Sequence, residues 1–147
     1  MRDEPWRNHL LEGREAARVL LAGVRRMAVL GIKTASHHAA YLGPLRAQEA
    51  GIEVVPVPVY FPDVTEILGQ RVYRTLAEIP GELDLVNVFR RPQDLPQHLA
   101  DILAKRPRAV WFQLGIRHDD VAEQLARAGI YVVQDQCVER ELFALGR

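Results

Sequence analysis

The chain is short of three things: cysteine, an excess of either charge, and long apolar runs. Each absence excludes something. Cys137 stands alone, so no internal disulfide can form. Nineteen Lys plus Arg against nineteen Asp plus Glu leave no strong field for a phosphate backbone, which argues against a nucleic-acid partner while leaving room for a local basic patch. No apolar run approaches the ~20 residues of a membrane span. The polar start Met1-Arg2-Asp3-Glu4-Pro5 lacks the apolar centre of a signal peptide. The expectation is a soluble, cytoplasmic protein that needs neither membrane nor nucleic acid. Its 147 residues are expected to form one domain, with residues 1–26 as a helical extension ahead of the first strand.

What is present alternates. The stretch His9 to Arg26 reads as a helix carrying Leu10, Leu11, Val19, Leu20 and Val24. Five apolar runs then read as strands buried on both faces: Met27–Leu30, Ile52–Val57, Leu85–Phe89, Ala109–Phe112 and Tyr131–Val133. Between them lie segments of helical period, one around Tyr41, Leu42 and Leu45, one opened by Pro92, and one from Asp119 to Ala128. Val138 to Leu145 closes the chain as a helix. Residues 58–82 are irregular, and Leu68 to Tyr73 within them suggests a hairpin-like excursion. This rhythm predicts an α/β, Rossmann-like three-layer sandwich with a mostly parallel five-stranded sheet. The expected strand order is third, second, first, fourth, fifth.

In such sheets ligands sit beyond the carboxyl ends of the strands, where the order reverses. Four segments are therefore expected to meet there: Gly31-Ile32-Lys33-Thr34, Pro56-Val57-Pro58, Phe89-Arg90-Arg91 and Gln113-Leu114-Gly115-Ile116. The first lacks the full G-x-G-x-x-G pattern, since Lys33 and Ser36 stand where further glycines would. It still offers backbone N–H groups to a diphosphate, with Lys33 and His38 as added donors, or it is a tight turn that binds nothing. A dinucleotide enzyme needs an acid at the end of the second strand. Glu53 lies near that strand's start, so a nicotinamide dinucleotide is disfavoured.

Other chemistry finds little support. His37-His38 has no partner at metal-ligand spacing, and no serine or carboxylate pair can be assigned a catalytic task. Asp119-Asp120 suits a helix start. Trp111 reads as core. Cys137 is either a small buried hydrophobe or a reactive thiol. Of the arginines, Arg90 is the better phosphate ligand and Arg91 the better solvated one.

The segments Asp84-Leu85-Val86-Asn87-Val88-Phe89-Arg90-Arg91, Val110-Trp111-Phe112-Gln113-Leu114-Gly115-Ile116 and Val132-Val133-Gln134-Asp135-Gln136-Cys137, with Leu68-Gly69 and Glu141, carry a resemblance. From about Met27 to Leu145 the chain resembles the small single-domain coenzyme A-binding proteins, relatives of the N-terminal domain of the succinyl-CoA synthetase alpha subunit. The resemblance implies that Gly31, Ile32, Lys33 and Thr34 hold the coenzyme A diphosphate. It places Pro56, Val57 and Pro58 beside the adenosine. Val88, Phe89 and Arg90, with Gln113, Gly115 and Ile116, would border the pantetheine arm.

Three departures stand out. Ile32-Lys33 replaces a small Ala-Ser pair, Val57-Pro58 replaces Asn-Pro, and Gln136 replaces the arginine of an Asp-Arg-Cys run. Ile32 is expected to crowd the phosphate and Lys33 to compensate by charge. The phosphohistidine of the synthetase belongs to a second domain, and none of His9, His37, His38, His98 or His118 inherits its role. The implied function is non-catalytic binding of coenzyme A or an acyl-CoA, with a protein partner or a second copy as further associates. The alternatives are an NAD(H)-sensing regulatory domain and a ligand-free interaction domain.

Overall fold

The computed structural model describes residues 4–147, so Met1–Asp3 of the polar start lie outside the described residues. Five short strands, β1 (Arg26–Leu30), β2 (Glu53–Val57), β5 (Leu85–Val88), β6 (Ala109–Phe112) and β7 (Tyr131–Val133), form one parallel sheet. Alternate residues of each strand face opposite layers, and both faces are apolar. Ala28, Leu30, Val86, Val88 and Phe112 pack on one side against helices α3 (Leu99–Lys105) and α4 (Asp119–Arg127). Met27, Val29, Leu85, Trp111 and Val133 pack on the other against α1 (Arg14–Ala22), α2 (Ala39–Glu49) and α5 (Val138–Ala144). The result is the α/β, Rossmann-like three-layer arrangement.

The strand order is β2-β1-β5-β6-β7, which corrects the expected third-second-first-fourth-fifth. The third long strand lies beside the first, not outside the second. Its expected place is taken by the small antiparallel hairpin of β3 (Glu66–Ile67) and β4 (Gln70–Arg71). The hairpin turns on Leu68 and Gly69, at φ of 56° and 73°, the pair of left-handed residues that a tight two-residue turn requires. Just after it, Tyr73 N–H donates to the Pro56 carbonyl at 3.0 Å, so this segment covers the free edge of β2.

The chain then returns across the sheet, burying Leu76, Ile79 and Leu83. Polar contacts hold the return in place. The Asp101 carboxylate accepts from Leu76 N–H at 2.7 Å and Ala77 N–H at 3.0 Å. The Arg26 guanidinium donates to the Pro80 carbonyl at 2.7 Å and the Glu82 carbonyl at 3.1 Å. Asp84 accepts from Arg25 and Arg26 N–H, both at 2.9 Å, and thereby starts β5 alongside β1.

Two expected helices are shorter than their apolar periodicity suggests. The N-terminal one begins only at Arg14, after a 3-10 turn at Pro5–His9 and Gly13 at φ 84°. Leu10 instead pairs with Val132 and extends the sheet past β7. The segment opened by Pro92 makes 3-10 turns at Pro92–Asp94 and Pro96–His98 before α3 starts at Leu99, because Pro96 offers no N–H to a helix running through it. At α4 the capping acceptor is His118 Nδ1, which takes Val121 N–H at 3.1 Å, while Asp119 and Asp120 occupy the first turn.

Glu141 ties the N-terminal helix to the last one. It is 1% exposed, and its carboxylate accepts from Arg14 Nε at 3.0 Å and Arg18 Nε at 2.7 Å. Burial pushes the carboxyl pKa up, but the hydrogen bonds and charges of the two arginines outweigh this and hold it below its ordinary value. A depressed folded-state pKa stabilises the fold above the unfolded value and loses that contribution as pH falls through the folded one. Glu141→Gln should therefore cost about 1–2 kcal/mol at neutral pH, given that both arginines keep some contact with water. Urea unfolding at neutral and acid pH should show the wild-type advantage shrinking on acidification.

Candidate functional site

The order reverses between β1 and β5, so the crevice opens where those two strands end. Gly31 follows β1 at φ 90° and donates its N–H to the Val57 carbonyl at 2.8 Å. A Cβ there would strike the Phe89 carbonyl oxygen and come within 3.2 Å of Arg90 Cδ. Only glycine allows both the left-handed turn and this approach. The loop beyond is fixed to α2 by a vacancy in the helix ladder. Pro44 has no N–H for the Ala40 carbonyl, and Lys33 N–H takes that acceptor at 3.1 Å.

The crevice has a volume of about 440 Å³. It is lined by Lys33, His38 and Ala40 after β1, by Phe89, Arg90 and Pro92 after β5, and by Leu114, Gly115 and Ile116 after β6. A smaller recess of about 150 Å³ adjoins it, lined by Gly31, Lys33, Val59, Tyr60 and Arg90. Lys33 forms no ion pair among the described residues. α2 starts at the crevice without a side-chain cap, so its first N–H groups and the positive end of its dipole face the same space.

Arg90 is held firmly. Its side chain is 9% exposed, with Nε donating to His98 Nε2 at 3.1 Å and a terminal nitrogen 3.6 Å from Asp94 Oδ2. Its guanidinium also reaches the Tyr60 hydroxyl at 3.4 Å. Arg91 is exposed and bonds Asp94 Oδ2 at 2.8 Å, which raises its own pKa and lowers that of Asp94. Burial, and after it the charge of Arg90, lowers the pKa of His98, so its ring stays neutral and Nε2 remains an acceptor. The His38 pKa is lowered by desolvation and then by the charges of His37 and Lys33.

Of the residues expected at the site, Gly31, Lys33, His38, Phe89, Arg90, Gly115 and Ile116 meet at these two recesses. Others do not reach it. Ile32 is 1% exposed and packs into the core with Met27 and Val29, so its side chain does not crowd a phosphate. Val88 is fully buried in the opposite layer. Pro56, Val57 and Pro58 are buried, with the Pro56 carbonyl already bonded to Tyr73. Thr34 is exposed outside both recesses, and Gln113 lies behind Phe89, bonded to Asn87. Tyr60, Asp94 and His98 were not anticipated. Tyr60 lies two residues beyond Pro58, and Asp94 and His98 lie three and seven beyond Arg91, so each reaches the site through the loop that follows an expected segment.

A larger groove of about 560 Å³ lies between α2 and α5, lined by Arg46, Glu49, Cys137, Glu139 and Phe143 among others. Its charges are mixed, with Arg46, Arg140 and Arg147 beside Glu49 and Glu139, and the Arg147 guanidinium is already bonded to the Leu21 and Val24 carbonyls at 3.1 and 3.2 Å. Among the described residues no group of three or more His, Cys, Asp or Glu is placed to hold a metal ion. Nor, among the described residues, is any helix long and apolar enough to cross a membrane.

Two outcomes test this geometry. Gly31→Ala should destabilise the fold by about 1–3 kcal/mol through left-handed strain and the Phe89 contact, read as a lowered denaturation midpoint. The His98 ring, followed by NMR, should titrate below its ordinary value of 6.5. Because the unfolded chain accepts that proton first, stability should fall as pH drops below 6.5, and His98→Gln should remove this component.

The chain is 31% identical over 120 residues to the uncharacterized protein YneT of Bacillus subtilis, covering 82% of this chain and 87% of that one. A solved protein of Thermus thermophilus, 34% identical, has a TM-score of 0.82 and covers 91% of this chain and 99% of its own. The fold alone is shared with a dinucleotide-forming acetyl-coenzyme A synthetase of Ca. Korarchaeum cryptofilum, at TM-score 0.63 and 13% identity, over 73% of this chain and 25% of that one. The pattern that defines the CoA binding domain matches residues 25–142, and the chain belongs to that family.

Proposed function

We propose that the crevice binds coenzyme A or an acyl-CoA and performs no reaction on it. The observation that carries this reading is the pairing of Lys33 and the buried Arg90 across the left-handed turn at Gly31, next to an apolar strip of Phe89, Leu114 and Ile116. The two cations and the uncapped start of α2 suit a diphosphate. The strip suits a slender, mostly apolar arm. Tyr60, in the smaller recess, offers an aromatic face to the adenine. Pro56, Val57 and Pro58 are buried just ahead of Val59 and Tyr60, and on this reading do not touch the ligand. Ile32 and Thr34 contribute backbone only.

On this reading residues 1–147 act as one cytoplasmic binding unit, with residues 1–26 as its extension. Membership of the family supports coenzyme A over other nucleotides. The end of β2 supports it too, since Val57 and Pro58 offer no carboxylate to a ribose diol.

Calorimetric titration with coenzyme A, dephospho-coenzyme A and NADH tests the proposal. Coenzyme A should bind, and each of Lys33→Ala and Arg90→Ala should weaken it by roughly tenfold or more, the loss of a charge-assisted bond to phosphate. Affinity should also fall with added salt. Tighter binding of NADH than of coenzyme A would overturn the assignment, as would failure of any adenine nucleotide to bind at millimolar concentration.

A further inference from the structure

One helical layer has an outer face that the crevice does not use. Among the described residues four large apolar side chains stand more than half exposed: Val19, Tyr60, Leu114 and Phe143. Tyr60 and Leu114 line the two recesses at the strand ends. The other two stand on α1 and α5, and α5 packs between α1 and α2. Phe143 is 85% exposed and borders the groove of about 560 Å³ between α5 and α2. An aromatic ring left in water at the lip of a groove is what an interface anchor looks like before its partner arrives.

Charge indicates which partner. Arg46 and Glu49 border the groove from α2, and Glu139 and Arg140 border it from α5. None of the four forms an ion pair among the described residues. The remaining charge, Arg147, is occupied by the Leu21 and Val24 carbonyls. Each helix thus presents one unpaired cation and one unpaired anion. A uniformly acidic or basic partner would meet as many repulsions as attractions. A second copy of the chain avoids this, because in a two-fold contact a residue that faces another is itself faced by the same pair in reverse. Arg46 set against the partner's Glu139, and Glu49 against the partner's Arg140, gives opposite charges at every position.

We propose that this face joins two copies of the chain in a two-fold dimer, with α5 of each copy laid along the groove of the other and Phe143 as the apolar anchor. Ion pairs at a wet rim add little affinity, so they set the register while the aromatic ring supplies most of the attraction. The proposal is independent of what the crevice binds.

Sedimentation velocity in reducing buffer tests it, since reduction prevents Cys137, which also lines the groove, from linking two chains. Between about 1 and 100 µM the mass should rise from that of the 16.6 kDa chain towards twice that value. Phe143→Asp replaces a side chain that supports no core, so it should keep the wild-type denaturation midpoint and weaken the dimer about tenfold or more. Arg46→Glu and Glu139→Arg, each alone, set like charges together and should also weaken self-association. An equimolar mixture of those two variants should recover the wild-type mass, because the mixed dimer restores opposite charges at both contacts. If either variant does not fold, Glu49→Arg mixed with Arg140→Glu makes the same comparison. A wild-type chain that stays monomeric throughout this range would overturn the proposal and leave the face to a different protein. A dimer indifferent to Phe143→Asp would overturn it too, and mixtures of folded variants that fail to recover the mass would overturn the two-fold pairing.

Discussion

The site depends on one close approach, the backbone of Gly31 against the carbonyl of Phe89. These residues follow β1 and β5, the two parallel strands between which the strand order reverses. If the first turn carried a side chain, the strand ends would have to part, and Arg90 would move with Phe89. With glycine they converge. The same turn leads into a loop whose amide at Lys33, two residues on, bonds the Ala40 carbonyl that Pro44 leaves unused. A proline inside a helix usually weakens it. Here the vacant acceptor tethers the cationic loop to the helix start, so the irregularity in α2 and the position of Lys33 have one cause.

Local pattern was enough to locate the five strands, because a parallel strand buried on both faces is a continuous apolar run, and Met27–Leu30 or Ala109–Phe112 has no helical alternative of that length. Strand order was not legible in the same way. It depends on where residues 58–84 cross, and that crossing is directed by the Tyr73 bond to Pro56, the Asp101 carboxylate and the Arg26 guanidinium. All of these are contacts between residues far apart in sequence, so periodicity carries no trace of them. The expected order also placed the reversal between the first and fourth strands, yet the same strand ends face the crevice. Position beyond the carboxyl end of a strand is a property of each strand, and it survives an error in their order.

Direction of side chains explains the remaining differences at the site. Lys33 and Ile32 are neighbours in an unusual pair, and the sequence suggests that both act on a phosphate. In the fold the first faces the crevice and the second fills the core beside Val29. A departure that looked unfavourable to binding thus becomes a packing choice, and its charged half is the part left at the site. Likewise the run Pro56-Val57-Pro58 marks where the strand ends, but the exposed wall begins two residues later at Tyr60.

Neutral overall charge does not make the crevice neutral. Lys33, Arg90 and Arg91 line it, while the nearby carboxylates are engaged, Asp94 by Arg91 at 2.8 Å and Asp135 by Gly115 N–H at 2.6 Å. The nearer contact that aims Arg90 is the neutral His98 ring at 3.1 Å, and Asp94, which Arg91 engages more closely, stands off at 3.6 Å, so the guanidinium is oriented with its charge only partly paired. Such a site attracts anions weakly from afar, because a balanced chain projects little field beyond a Debye length of about 8 Å. At contact a partly buried cation is less screened, which suits the anion that the proposed reading puts there. On the proposed reading, recognition would therefore depend on geometry at the strand ends, and the zero net charge is compatible with a polyanionic ligand.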